Sequence, residues 1–280
     1  MSDPETIVCD GAKATIYRTA PKLEEMPTLA VGEIKFSSRE AGQQLLSQIQ
    51  ETARREGYNA ILGPLNGDTW HSYRLVFESD GSPPFMLEPT SGDHDLAVFR
   101  DAGFEPVSMY LSAKAALKDT IGIKPDTLPN TIVEAWNGEN ADELIRMLYD
   151  MSTSAFSGNR FFTPIPFESF LDIYQPMIPF IDKEHVLFAR DKDGQLQGFL
   201  FGTPNYMAPD NEKSVILKTY ASRIRGVGHL LADTYHRKCI DLGFDTIIHA
   251  LIHETNTSRE RSEMHGAKIF RRYALMGWKA

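Results

Sequence analysis

Cysteine is scarce: Cys9 and Cys239 are the two in 280 residues, far apart and neither in a Cys-x-x-Cys pair. That usage excludes a disulfide framework and points to a reduced, cytosolic protein. Long apolar runs are missing as well. No stretch approaches the roughly 20 apolar residues that a membrane-crossing helix needs, and the opening MSDPETIVCDG is acidic and polar, unlike a secretory signal. Positive charge is short, with 29 Lys and Arg against 38 Asp and Glu and a net charge of −9. Such a balance argues against broad nucleic-acid or anionic-membrane binding, though a local basic patch can still hold an anionic cofactor. Metal-ligand spacing is also wanting. His229 and His236 stand seven apart with Cys239 nearby, the nearest approach to a zinc set, and no carboxylates back them. No metal is expected, and no Ser-His-Asp set can be drawn.

What is present is the composition of a globular protein, 42% hydrophobic and 24% charged, long enough for one large domain or two ordinary ones. The second half alternates cleanly. Residues 131–136 read as a strand, 140–156 as a helix with Leu144, Met147, Leu148 and Met151 on one face, and 167–174 as a short helix between prolines. Residues 185–190 and 196–202 flank Asp193-Gly194 and spell a hairpin. A strand at 215–220, a helix at 227–242 closed by Gly243, a buried-type strand at 246–252, a polar helix at 258–265 and a strand around 270–275 complete the half.

The most informative stretch joins two of these elements. Strand VILKTYAS runs into Arg223-Ile224-Arg225-Gly226-Val227-Gly228, which opens an amphipathic helix. A glycine turn at a helix N-terminus presents backbone N–H groups and the positive dipole end to a phosphate. Arg223 and Arg225 add planar donors suited to phosphate oxygens.

The element order β-α-α-β-β-β-α-β-α-β with this turn resembles the GNAT acyltransferase superfamily, whose acyl-CoA pyrophosphate motif is Arg/Gln-x-x-Gly-x-Gly/Ala. The resemblance covers residues 131–280. It implies an α/β (α+β) fold with a mixed, mostly antiparallel twisted sheet flanked by helices, and an acyl-CoA, commonly acetyl-CoA, as co-substrate. The first half echoes it faintly: strand-like 5–19 and 28–36, a helix at 41–56 ended by Gly57, a strand at 59–63, a helix at 93–102 and a strand at 104–112. There the helix is preceded by Ser37-Ser38-Arg39-Glu40-Ala41-Gly42, without Gly-x-Gly and with Glu40 where a phosphate would lie. The expectation is therefore a divergent tandem repeat: residues 1–125 a degenerate GNAT-like half without cofactor binding, residues 126–280 the acyl-CoA-binding half, and 126–130 the linker.

Acyl transfer to an amine requires an anchored thioester, a polarised carbonyl, a base for the ammonium and an acid for the leaving thiolate. The resemblance assigns anchoring to Arg223, Arg225, Gly226, Val227 and Gly228, and main-chain contacts to pantetheine to Thr219, Tyr220 and Ala221. Asn256 resembles the Asn that opens the last helix beside the pantetheine arm, and serves equally as an N-cap. His253 and Glu254 close the strand 246–252 and are the candidate bases; alternation would place His249, Leu251 and His253 on one face. The tyrosine common as general acid belongs four residues before the terminal Gly of the last helix. Counting back from Gly266 gives Ser262, so either Tyr220, His265 or Tyr273 substitutes or the thiolate leaves without a dedicated acid. The aromatic run Phe156 to Tyr174 suits core packing or an apolar acceptor pocket. The loops 66–74 and 83–89, with Trp70, Tyr73, Arg74 and Glu88, resemble those of a bacterial group of tandem GNAT proteins and are read first as structural connections.

The leading expectation is a cytoplasmic acyl-CoA-dependent N-acyltransferase acting on a small amine or amino-acid-like acceptor. Two other readings stay open: a transferase using aminoacyl-tRNA, and a non-catalytic acyl-CoA-binding pseudo-acyltransferase. Self-association as a homodimer is also left open.

Overall fold

Apolar runs buried on both faces make up most of the β segments, and these strands join one continuous sheet covered on both sides. The computed structural model describes residues 3–121, 128 and 130–280. The first part runs β1 (Glu5–Cys9), β2 (Ala12–Tyr17), β3 (Thr28–Phe36), α1 (Arg39–Arg55), β4 (Ala60–Gly63), β5 (Leu75–Ser79), α2 (Asp95–Asp101), β6 (Glu105–Ala116) and α3 (Leu117–Thr120). The second runs β7 (Thr131–Ala135), α4 (Ala141–Phe156), α5 (Phe167–Tyr174), β8 (Val186–Asp191), β9 (Leu196–Pro204), β10 (Ser214–Ser222), α6 (Val227–Asp241), β11 (Thr246–His253), α7 (Thr257–Met264) and β12 (Lys268–Lys279). Two short 3-10 segments, Gln175–Phe180 and Lys183–His185, lead into β8. The fold is thus mixed α/β, with a sheet that is antiparallel except at β3–β4 and β10–β11. The expected linker, 126–130, lies outside the described residues apart from Leu128 and Asn130.

The strand order is β1-β2-β3-β4-β12-β6-β11-β10-β9-β8-β7, with β5 also pairing β12. This order contains a crossing that no local pattern shows. The unit β3-α1-β4-α2-β6 parallels β10-α6-β11-α7-β12, yet each unit's last strand closes beside the other: β6 pairs β11 antiparallel, and β12 pairs β4. The two exchanged strands also pair with each other from Lys268–Lys114 to Gly277–Glu105.

Cores form on the faces that alternation dictates. Leu187, Ala189, Leu200, Val215 and Leu217 pack against Val227, Leu231 and Tyr235 of α6. Their neighbours Val186, Phe188 and Phe199 face the other way, toward Leu144 and Met151 of α4. At the far end α1 buries Leu45, Leu46, Ile49 and Ala53 against β2, β3 and β4. Its N-terminus is finished within the chain: the Ser38 side chain accepts the Ala41 N–H, and Arg39 donates to both carboxylate oxygens of Asp101.

Candidate functional site: a cleft between two splayed parallel strands

β10 and β11 begin as a parallel pair, Ser214–Thr246 through Leu217–His249, and then part. Both strands are irregular where they separate. β10 bulges between Leu217 and Thr219 against β9, which places Lys218 at the bulge. β11 bulges between His249 and Ile252 against β6, with Leu251 at φ 59°. Ser112, fully buried on β6, holds that bulge by accepting the Leu251 N–H at 3.1 Å. This corrects the expected alternation: residues His249 through His253 all line the opening, because a bulge adds a residue and turns the side chains.

The gap is a cavity of about 370 Å³. At one end stands the glycine turn. Gly226 occupies φ 90°, a conformation L side chains rarely adopt, and is the N-cap of α6. The N–H groups of Arg225, Gly226 and Gly228 have no backbone acceptor among the described residues, while the Val227 N–H bonds Ile224 O. A Cβ on Gly228 would lie 3.1 Å from Tyr220 and 3.2 Å from the Arg261 guanidinium. Arg261, a residue the sequence reading did not single out, therefore faces this turn from α7. Arg223 and Arg225 are exposed, and no ion pair engages them among the described residues.

Along the cavity lie Thr219 and Tyr220 of β10; Ala221 is buried and packs toward α4. The Tyr220 hydroxyl donates to Ser258 Oγ at 2.9 Å, and Asn256 Oδ1 accepts the Ser258 N–H at 3.0 Å. Asn256 is thus the N-cap of α7 and also lines the cavity.

The candidate bases separate. His253 lines the cavity; its Nδ1 accepts the Thr255 N–H at 3.2 Å, which leaves Nε2–H facing Ser108 Oγ at 3.1 Å. Burial, with the Arg74 charge next, lowers its pKa, so the ring is neutral at neutral pH. Glu254 does not reach this cavity; it borders an adjoining depression beside β6, which His253 shares, and pairs with Arg272 at 3.1 Å and Arg259 at 3.6 Å. The alternative acids separate too. Tyr273 is fully buried, its hydroxyl shared between Glu88 and Ser112, away from the cavity. His265 lines the cavity with Nδ1 on Thr120 O at 2.7 Å. Ser262, in the place where a tyrosine was sought, bonds His249 Nδ1 at 2.7 Å, and His249 Nε2 meets His236 Nε2 at 3.2 Å. Burial pushes His249 down to about 3 and His236 well below its ordinary value, so both rings are neutral. Among the described residues no three His, Cys, Asp or Glu side chains converge to hold a metal ion.

The opposite end is built by both parts of the chain, with Phe162 and Tyr174 from the second and the loop 66–74 from the first. Trp70, His71, Tyr73 and Arg74 line the cavity, together with Tyr110 of β6. Trp70 packs edge-on against Phe162 and Phe170, and its indole N–H donates to Thr163 O at 2.7 Å. From the loop 83–89, Leu87 O accepts Lys218 Nζ at 3.0 Å. Burial, helped by the charge of Arg74, brings the Lys218 amine down to about 7. A lone cation inside an apolar strand was the sequence signal for Lys218, and the likeness of the loop 66–74 to tandem GNAT proteins was the one for Arg74; Arg261 had none.

No protein-family model matches the sequence, and no curated protein matches it. Solved structures do match. A GCN5-related N-acetyltransferase from Sphaerobacter thermophilus superposes with a TM-score of 0.55 at 16% identity, over 96% of this chain and 76% of that one. A tandem GNAT protein of the clavulanic acid biosynthesis pathway, solved without acetyl-CoA, gives 0.55 at 13% identity, over 96% and 78%. A GCN5-related N-acetyltransferase from Anabaena variabilis gives 0.53 at 10%, over 95% and 62%. At such identities the likeness is one of architecture, and the architecture is plain: this chain has the fold of the GCN5-related N-acetyltransferases.

Proposed function

We propose that the protein is an acyl-CoA-dependent N-acyltransferase, with acetyl-CoA the favoured donor, acting on a small amine. The observation that carries this reading is the splay of β10 from β11, with a glycine turn at one end of the resulting cavity and an aromatic wall at the other. The turn Arg223–Gly228 opens α6 with free N–H groups and three arginines nearby, a setting for a pyrophosphate. The edge of β10 beyond Leu217 has no strand partner on the β11 side, leaving its main chain to bond a pantetheine.

In the reaction the acceptor nitrogen attacks the thioester carbon, the C–S bond breaks, and the acyl group ends on nitrogen. The proton lost by the ammonium goes to His253 Nδ1, directly or through water, in exchange for the bond that this nitrogen accepts from Thr255; the ring is neutral at neutral pH and so able to take it. The thiolate is protonated from the Tyr220 hydroxyl, which sits in the cavity and is hydrogen-bonded to Ser258. Glu254 is not given a role, since its carboxylate is held by two arginines outside the cavity. In the same reading residues 126–280 supply the coenzyme site, and the acceptor wall is shared between Trp70, Tyr73 and Arg74 of residues 1–125 and Phe162 and Tyr174 of 126–280.

Calorimetry with acetyl-CoA on the wild type and on Gly226→Val tests the anchor: affinity is expected for the first and lost in the second. Transfer is then followed as free thiol released with a panel of amines. Acetyl-CoA binding with no amine acetylated would leave a non-catalytic coenzyme-binding role, and stabilisation by aminoacyl-tRNA without any by CoA would overturn the donor.

A further inference from the structure

The chain carries a net charge of −9, yet no Asp or Glu lines the cavity among the described residues. Three permanent cations do, Arg74, Arg160 and Arg261, and beside them stands Lys218, whose amine is brought down to about 7. Arg261 stands at the coenzyme end, within reach of the glycine turn. Arg74 and Lys218 stand at the other end, where no part of a coenzyme anchored at Gly226 requires them.

Arg74 is held firmly and left unfinished. Its guanidinium lies 4.0 Å from the Tyr73 ring centroid and 4.2 Å from that of Tyr110, two rings set edge to face with centroids 5.7 Å apart, so it is seated in an aromatic corner. Its backbone sits at φ 69°, fixed by an N–H bond to Pro64 O at 2.9 Å. Nε and Nη1 are buried without any hydrogen-bond partner, and no carboxylate pairs with the group among the described residues. Unmatched charged donors are costly to bury. Arg271 of the same protein shows the finished case: 4% exposed, it pairs with Glu88, 1% exposed, at 2.6 Å, and bonds Ser82 as well. Lys218 spends one donor on Leu87 O and has no further partner among the described residues. Arg74 and Lys218 line the same cavity with donors left unmet among the described residues, and, after burial, the Arg74 charge lowers the Lys218 amine against an opposing pull from Glu88. An anion placed between them would relieve both.

We propose that Arg74 and Lys218 form a subsite for a carboxylate on the acceptor, so that the substrate is an amino-acid-like amine held by its acid group with the nitrogen toward His253. The rings of Trp70, Phe162 and Tyr174 then take the remainder of the acceptor on an apolar wall. This rests on the acyl-transfer reading, and its test is arranged so that the two fail separately.

The full chain is titrated with the common L-amino acids, their carboxamides and their decarboxylated amines, with and without acetyl-CoA, and the affinity for acetyl-CoA is measured independently. The best amino acid is expected to bind, and to be acetylated with a kcat/KM, about 10- to 100-fold better than its own amide, the range of a charge-assisted hydrogen bond. Arg74→Gln should abolish that preference through KM while leaving acetyl-CoA affinity unchanged. Because Arg74 sits at a strained backbone, Lys218→Met provides a second variant with the same expected loss of preference. Acids and amides handled alike by the wild type, or a preference that survives in both folded variants, would overturn the subsite. Loss of acetyl-CoA binding with retained preference for carboxylates in calorimetry would overturn the acyl-transfer reading and keep the subsite.

Discussion

Lys218 is a lone cation in the apolar segment VILKTYAS, placed at the β10 bulge so that its amine enters the cavity. Its folded pKa, about 7, lies below the ordinary 10.5. Below about pH 7 both the folded and unfolded chains carry this charge, and the cost of burying it is fully present. Between about 7 and 10.5 the unfolded chain holds more protons, so Lys218 makes stability rise with pH; above 10.5 the cost is gone. Urea midpoints measured across that window should therefore climb less steeply in Lys218→Met than in the wild type. An unchanged slope would place the amine in water. Gly226 is the other residue with a sharp expectation. At φ 90° a side chain is strained by about 1–3 kcal/mol, which most folded domains survive. Gly226→Val should stay folded by circular dichroism and lose acetyl-CoA, whereas an intact dissociation constant would remove the turn from the coenzyme site.

At the scale of elements, the close approach of β9 to α6 depends on two missing Cβ atoms, at Gly198 against Val227 and Leu231 and, more tightly, at Gly202. A side chain at Gly202 would lie 1.9 Å from the Tyr235 hydroxyl, and Tyr235 is fully buried and bonded to His185 at 2.8 Å. Overpacking there should cost about 1–3 kcal/mol, read as a lower melting temperature in Gly202→Ala. Helix α7 depends on its cap. Asn256→Ala removes the acceptor of the Ser258 N–H and should cost about 1 kcal/mol, with a looser Ser258 under Tyr220 and weaker coenzyme binding. Wild-type melting with wild-type coenzyme affinity would leave the cap idle. Most elements were legible because their periodicities are strong: Thr28–Phe36 and Phe167–Tyr174 stand where patterning put them. β5 was not, since LVFES is five residues half exposed and pairs only with the distant β12. The bulges were not legible either, and with them went the facing of His249, Leu251 and His253.

Across the whole molecule, the exchange of β6 and β12 ties the two units together. Neither segment, 3–121 or 130–280, has its own closing strand, because β6 lies between β12 and β11 and β12 lies beside β4. Each expressed alone should be insoluble or molten, while coexpression should return a folded pair. A protease site inserted between residues 121 and 130 should leave a nicked protein that still unfolds in one transition; two separate transitions would count against the crossing.

The sequence by itself determined the order of elements, the glycine turn at the head of α6 and the exclusion of disulfide scaffolds, because these rest on periodicity, backbone freedom and composition within short windows. Only the tertiary structure decided what surrounds the coenzyme turn. Strand register and exchange bring Arg74, Tyr110 and Ser108 from the first part against Lys218 and His253 of the second. Contacts across that many residues are set by pairing of whole strands, and no local pattern encodes which edge a strand will join.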